Sequence, residues 1–150
     1  MKIAVLSDIH GNLPALQTVT DHLETWRPDL VFVNGDVVNR GPNPAACLRF
    51  VEQKRRNNGW QIMRGNHEMY VIDQSRPDAA RNGRLFEINR SSFWTYQQLN
   101  GDVTILQTWP ASHTLTAPDG SQMHITHASR RSNRDSILPY SPLARVRQQI

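Results

Sequence analysis

The sequence predicts an α/β fold, a layered sheet that starts as a parallel βαβαβ unit and carries a C-terminal β-hairpin. Three observations predict it. Apolar runs of strand length occur at 2–7, 30–34 and 60–63, consecutive rather than alternating, as in strands covered on both faces. Apolar residues at helical spacing lie between them: Leu16, Val19, Leu23 and Trp26 in the first gap, Cys47, Leu48 and Val51 in the second. Two strand-like segments at 112–116 and 121–126 flank the turn Pro118-Asp119-Gly120. Strand, helix, strand in that order predicts parallel neighbours with right-handed crossovers.

The elements follow in order. The first strand runs into a loop at 8–12, with Gly11 as its turn residue, and Pro14 suits the first turn of a helix over 14–26. Arg27-Pro28-Asp29 breaks that helix before the second strand. A long loop at 35–43 carries Asp36, Arg40 and Gly41. Asn43 is expected to cap, and Pro44 to open, a second helix with Lys54, Arg55 and Arg56 near its C-terminal, cation-favouring end. Asn57-Asn58-Gly59 ends it, and the third strand leads to Arg64-Gly65-Asn66-His67-Glu68. Residues 73–88 are polar and read as a loop or short cap segment. Residues 89–99 read as a helix with Phe93, Tyr96 and Leu99 on its apolar side, and Asp102 caps a further turn running to Trp109. His127 ends the second hairpin strand. Arg130, Arg131 and Arg134 read as an exposed basic segment, ahead of a helical pattern at Leu143, Val146 and Ile150.

Composition narrows the classes. Apolar runs are strand-sized, far short of the ~20 residues of a membrane span. The N-terminus turns acidic at Asp8, too soon for a signal peptide. One cysteine, Cys47, excludes an internal disulfide framework and a thiolate zinc site, and points to the cytoplasm. A net charge of +4 reads as a solvated surface or, more sharply, as a preference for anionic ligands such as nucleotides. Aromatic residues are few and not interleaved with basic ones, so no dedicated nucleic-acid surface is indicated.

The chemistry centres on Asp36, at the buried end of an apolar strand. An unpaired carboxylate there costs roughly 3–5 kcal/mol, so Asp36 needs a partner, either a metal ion or Arg40. Candidate ligands lie at the other strand ends. Asp8 and His10 are two residues apart, and in an extended chain both point to one side. Asn66 offers a neutral carbonyl oxygen, and His127 brings an imidazole from a fourth strand end. Carboxylate, imidazole and amide oxygen suit borderline divalent ions, and Asp36 has two oxygens with which to bridge a pair. In a parallel α/β sheet these residues share the carboxyl edge, where ligands bind.

Ser7-Asp8-Ile9-His10-Gly11-Asn12, Gly35-Asp36-Val37-Val38-Asn39-Arg40-Gly41, Gly65-Asn66-His67-Glu68 and His124-Ile125-Thr126-His127-Ala128 resemble four successive motifs of the calcineurin-like metallophosphoesterases. The resemblance implies that fold, and a centre of two divalent ions: Mn favoured, with Fe, Zn or Mg on the same ligands. It implies that Asp8 and His10 bind the first metal, that Asp36 bridges both, and that Asn66 and His127 bind the second. Arg40 would hold phosphate oxygens, and His67 would stabilise the transition state or protonate the leaving group. A metal-bridging hydroxide would then hydrolyse a phosphomonoester or phosphodiester, with a nucleotide or a phosphoprotein as candidate substrate.

Two departures from the family pattern stand out. Asn39 occupies a position where related phosphatases carry an Asp that supports the catalytic histidine; it can orient His67 but offers no charge. No Gly-His-x-His motif follows His127, so residues 1–150 are expected to be a single metallophosphoesterase domain lacking its C-terminal part. The alternative is a non-catalytic binding or scaffold module on the same fold. Glu68 reads as a helix-start residue or a support for the ligands, and His22 and His124 as structural.

Overall fold

A computed structural model describes residues 1–135 and 137–149 of the chain; Ile150, expected on the last helix, lies outside the described residues. Strands β1 (Ile3–Leu6), β2 (Leu30–Asn34) and β3 (Gln61–Met63) form a parallel sheet in the order β1-β2-β3. Ile3 pairs with Leu30 and Leu6 with Val33, while Phe32 pairs with Gln61 and Asn34 with Met63. Only the central strand matches the expectation of burial on both faces, with Val31, Phe32 and Val33 all buried. β1 is the edge of this sheet, and its Val5 is 54% exposed.

Helix α1 (Leu13–Trp26) follows β1, and Asn12 caps it by accepting the Ala15 N–H at 3.2 Å. Its buried stripe is Leu16, Thr20 and Leu23. Val19 and Trp26, expected inside, are partly solvent-exposed at the margin, because the polar Thr20 takes the central inward position and hydrogen-bonds the Leu16 carbonyl. His22 is exposed on the same helix rather than packed. Helix α2 (Pro44–Asn58) opens at Pro44 as expected, but the Asn43 side chain makes no cap bond. Its backbone anchors the helix start instead: Asn43 N–H donates to the Gly11 carbonyl at 3.0 Å, tying α2 to the loop after β1.

Helix α3 (Asn66–Ile72) starts directly after the third strand's loop. Helix α4 (Gly83–Gln98) begins well before the expected 89. Its fully buried residues are Ser92 and Thr95, which serve a polar partner, so apolar periodicity marks only part of its length. The short α5 (Thr104–Thr108) has Asp102 accepting the Thr104 N–H at 2.9 Å. It delivers the buried Trp109, whose indole N–H donates to Glu52 on α2 at 2.8 Å.

Strands β4 (Ser112–Thr116) and β5 (Gln122–Thr126) form the expected antiparallel hairpin, as a sheet of their own. His113 joins it to the parallel sheet. Its Nε2 lies 3.2 Å from the Ile62 carbonyl, and its ring packs against Phe32. Helix α6 (Leu143–Gln149) follows. Val33, Val37, Val38, Cys47, Val51, Ile62, Val71, Leu106 and Trp109 make the centre of the core, directly beneath the loops at the strand ends. Among the described residues no helix is long and apolar enough to cross a membrane.

Candidate metal centre

Left-handed backbone shapes the loops at the strand ends. Asp8 (φ 56°), His10 (φ 46°), Asp36 (φ 56°), Asn39 (φ 75°) and Arg40 (φ 65°) all adopt it without being glycine. Each such residue costs on the order of 1–2 kcal/mol, so the surrounding contacts must hold it. They do: the parallel pairing of β1 and β2 continues past the strands. Asp8 N–H reaches the Gly35 carbonyl at 3.3 Å, His10 N–H that of Asp36 at 2.8 Å, and Gly11 N–H that of Val37 at 2.9 Å. Asp8 and His10 therefore converge through two left-handed turns, not through the extended chain the sequence spacing predicts.

A second lock joins the loop after β2 to α3. Glu68 is fully buried, and both its oxygens are filled by backbone donors. Oε2 accepts from Asp36 and Gly65, each at 2.8 Å; Oε1 accepts from Val37 at 2.8 Å and Val38 at 3.2 Å. Burial, with the nearby Asp36 charge, pushes the Glu68 pKa up, and these N–H groups pull against that rise. Gly65 permits the close approach. A Cβ there would overlap Asp36 Oδ1, the oxygen that accepts the His67 N–H at 2.9 Å.

The expected ligands gather around Asp36, which is 2% exposed. Its Oδ2 lies 3.8 Å from His10 Nε2 and 3.5 Å from His127 Nε2. His10 Nε2 is 3.7 Å from Asp8 Oδ1, and Asn66 Oδ1 is 3.0 Å from His127 Nε2. Two overlapping sets of potential ligand atoms result, each within 4.8 Å: Asp8, Asp36 and His127, and His10, Asp36 and His67. Asp36 belongs to both.

These residues fit divalent ions on two counts. Two ligands on one ion, with bonds of about 2.1 Å, stand at most about 4.2 Å apart, and the His10 and His127 separations from Asp36 are within that limit. The His127 ring is also oriented as a ligand should be. Its Nδ1–H donates to the Asn34 carbonyl at 2.6 Å, which turns Nε2 toward Asp36. In the metal-free chain the hydrogen bond to Asp36 pushes the His127 pKa up to about 9. Burial alone would raise the Asp36 pKa, but His127 and the His67 N–H outweigh it and hold Asp36 below the ordinary carboxylate range.

His67 lies beside this cluster, its ring edge-on to His10 with centroids 4.8 Å apart. Asn39 fixes its tautomer. The Asn39 carbonyl oxygen accepts from Arg40 N–H at 2.9 Å and Thr95 hydroxyl at 3.3 Å, so its amide nitrogen faces the other way. That nitrogen donates to Ser92 at 2.9 Å and to His67 Nδ1 at 3.0 Å. His67 Nδ1 is thus an acceptor, and the neutral ring carries its proton on Nε2. Burial depresses the His67 pKa, with His10, Arg40 and His127 adding to the effect against Asp36.

The calcineurin-like phosphoesterase family profile matches residues 1–140. The chain belongs to that family. It is 36% identical over 76 residues to an uncharacterised protein of Methanocaldococcus jannaschii, covering 51% of this chain and 30% of that protein. It is 30% identical over 74 residues to a symmetrical bis(5′-nucleosyl)-tetraphosphatase of Haemophilus ducreyi, covering 48% of this chain and 26% of that one. The matched stretch is thus under a third of the length of either relative. Among solved structures, a metallophosphoesterase from Sphaerobacter thermophilus aligns with a TM-score of 0.66 at 26% identity, over 92% of this chain and 51% of that one. A Pyrococcus horikoshii protein aligns with a TM-score of 0.76 at 18% identity, over 99% and 63%, a likeness of fold.

On this phosphoesterase fold Arg40 is exposed, and it is not among the ion-pair partners of Asp36 within the described residues. Ser92 and Thr95, which fix Asn39, carry no signal in the sequence beyond two small polar residues at helical spacing. Glu68 is legible there as a support but not as the acceptor of four N–H groups. The signal for that role is its place three residues after a glycine at a strand end.

Proposed function

We propose that the chain carries a dinuclear, metal-dependent phosphoesterase centre, with residues 1–150 forming one domain around it. The observation that supports this reading is the gathering of Asp8, His10, Asp36 and His127 ligand atoms at the strand-end loops of a calcineurin-like phosphoesterase chain. In this reading Asp8 and His10 hold one divalent ion, Asn66 and His127 hold a second, and Asp36 serves both. The oxygen and imidazole donors suit Mn, with Fe, Zn and Mg on the same ligands. Bound there, such ions neutralise phosphate charge and lower the pKa of water toward ~7, which supplies a hydroxide nucleophile at neutral pH.

The chain's own residues do the rest. Asp36, whose loop Glu68 holds through the Asp36, Val37 and Val38 N–H groups, fixes the spacing of the two halves of the centre. Arg40 extends into solvent as a planar fork that meets non-reacting phosphate oxygens. His67 offers Nε2–H to the transition state or the leaving oxygen as a neutral donor. The reaction is hydrolysis of a phosphomonoester or phosphodiester in the cytoplasm. A nucleotide is the favoured substrate class, since one relative is named for action on a bis(5′-nucleosyl) tetraphosphate.

The test is Mn²⁺ titration followed by electron paramagnetic resonance, alongside turnover of p-nitrophenyl phosphate and its bis-ester. The expected result is a spin-coupled Mn pair and metal-dependent turnover, both lost in Asp36→Asn. Turnover that survives EDTA, or a coupled pair that survives Asp36→Asn, overturns the reading.

A further inference from the structure

A cavity beside the candidate metal centre shares His127 with it. It is an open cleft of about 770 Å³ between Arg64, α3, the hairpin and the segment after β5. Arg64, Arg130, Arg131 and Arg134 line it, and among the described residues no Asp or Glu does. The basic segment that reads in the sequence as solvated surface therefore forms one wall of a cleft.

That wall is organised in advance. Ser129 Oγ accepts from Arg131 N–H at 3.1 Å and Ser132 N–H at 3.3 Å, and donates to Asp135 at 2.8 Å. Arg134 N–H donates to Ser132 Oγ at 3.1 Å, and its guanidinium lies over the Tyr70 ring at 4.7 Å. In the same lining, Arg64 Nε is buried without a hydrogen-bond partner among the described residues. A guanidinium has donors only, so an unmet buried N–H calls for an acceptor. Among the described residues, the ion-pair partner of Arg131 is Asp135, at a long 3.9 Å. Guanidinium groups around one cleft match the geometry of phosphate oxygens, two to a fork.

We propose that this cleft binds a chain of phosphates, so that the ligand of the site is an oligophosphate rather than a lone phosphate group. One phosphoryl group would sit at the metal centre, and its neighbours would run past His127 toward Arg64, Arg131 and Arg134. The proposal rests on the phosphoesterase reading for the placement of that first phosphoryl group. The binding it predicts does not require turnover.

Isothermal titration of the chain in EDTA tests it, with orthophosphate, inorganic tripolyphosphate and adenosine 5′-triphosphate as probes. Tripolyphosphate is expected to bind at least tenfold more tightly than orthophosphate. Arg131→Gln/Arg134→Gln is expected to cut tripolyphosphate affinity at least fivefold. Arg84→Gln/Arg90→Gln removes the same charge from exposed positions on α4 and is expected to cut it less than twofold. If the double variant fails to fold by circular dichroism, Arg131→Gln alone, at an exposed side chain, carries the comparison. The nucleotide arm separates a phosphate chain borne on a nucleoside from a free one, and tight binding of either supports the cleft.

Equal affinity for orthophosphate and tripolyphosphate overturns the proposal, as does a cleft variant that binds like the wild type. A chain that binds tripolyphosphate through the cleft but forms no Mn pair overturns the phosphoesterase reading alone. A chain that hydrolyses p-nitrophenyl phosphate but shows no preference for tripolyphosphate overturns this proposal alone.

Discussion

Glu68 and Asp36 hold each other's loops: Glu68 accepts the Asp36 backbone N–H at 2.8 Å, and Asp36 accepts the N–H of His67, the residue before Glu68, at 2.9 Å. The exchange joins the end of β2 to the start of α3 through two buried carboxylates. Neither contact depends on a metal ion, so the centre's spacing is set by the protein before any ligand arrives.

Glu68→Gln is expected to be costly despite its near-identical shape. One amide NH₂ would replace an acceptor oxygen that faces two backbone N–H groups. At about 1–3 kcal/mol for each unmet buried donor, the loss is about 2–6 kcal/mol. Urea denaturation with and without Mn²⁺ measures it. A variant as stable as the wild type would show that the four N–H contacts contribute nothing.

Gly65→Ala separates the site from the core. Its Cβ would collide with Asp36 Oδ1, so either Asp36 or α3 must move. Movement of that carboxylate is expected to lower Mn²⁺ affinity about 10–100-fold, the range for disturbed supports of metal ligands, at a stability cost of about 1–3 kcal/mol. Titration calorimetry against an unfolding curve checks both. Unchanged Mn²⁺ affinity would place the metal away from Asp36.

Much of the candidate site is legible in the sequence because its residues follow strands, and strands announce themselves by apolar runs. Asp8, Asp36, Asn66 and His127 each sit just beyond such a run, and register then brings them together. What the sequence hides is the means of convergence. Positive φ at Asp8, His10 and Asp36 leaves no mark on residue type, since Asp tolerates it and His gives no sign of it. The support shell is hidden for a related reason. Ser92 and Thr95 lie on a helix whose fully buried positions are polar, so apolar spacing does not mark them. The Arg-lined cleft is invisible because 130–134 is polar throughout, and only the fold shows that it turns back toward Arg64.

Asn39→Asp tests the tautomer of His67. In the wild type the Asn39 amide donates to Nδ1, which holds the ring proton on Nε2. A carboxylate at that position would accept instead, moving the proton to Nδ1 and favouring the doubly protonated ring. Nitrogen NMR of labelled histidine is expected to show His67 Nδ1 as an unprotonated, pyridine-type nitrogen in the wild type and as a protonated one in the variant. A protonated Nδ1 in the wild type would mean that the Asn39 amide is turned over, with Thr95 and Arg40 left facing an NH₂ group.

The pH dependence of stability should differ between the metal-free and the Mn²⁺-loaded chain. In EDTA, His127 binds its proton more tightly in the folded state, with its pKa raised to about 9 by the Asp36 hydrogen bond. Against an unfolded value of about 6.5, that stabilisation is complete below pH ~6.5 and is lost as pH rises through the folded value. Asp36 acts at the other end: its lowered pKa gives stability that is present above the ordinary carboxylate range and lost as pH falls. The metal-free melting temperature is therefore expected to fall between about pH 6.5 and 9. A divalent ion competes with the His127 proton for Nε2, so Mn²⁺ affinity rises over the same window and offsets the loss, leaving the loaded chain's stability nearly flat where the free chain's falls. Thermal melts at three pH values across that window, with EDTA or excess Mn²⁺, measure both slopes. His127→Gln should flatten the EDTA slope, and a wild-type melting temperature that rises with pH in EDTA would remove the His127–Asp36 pair from the account.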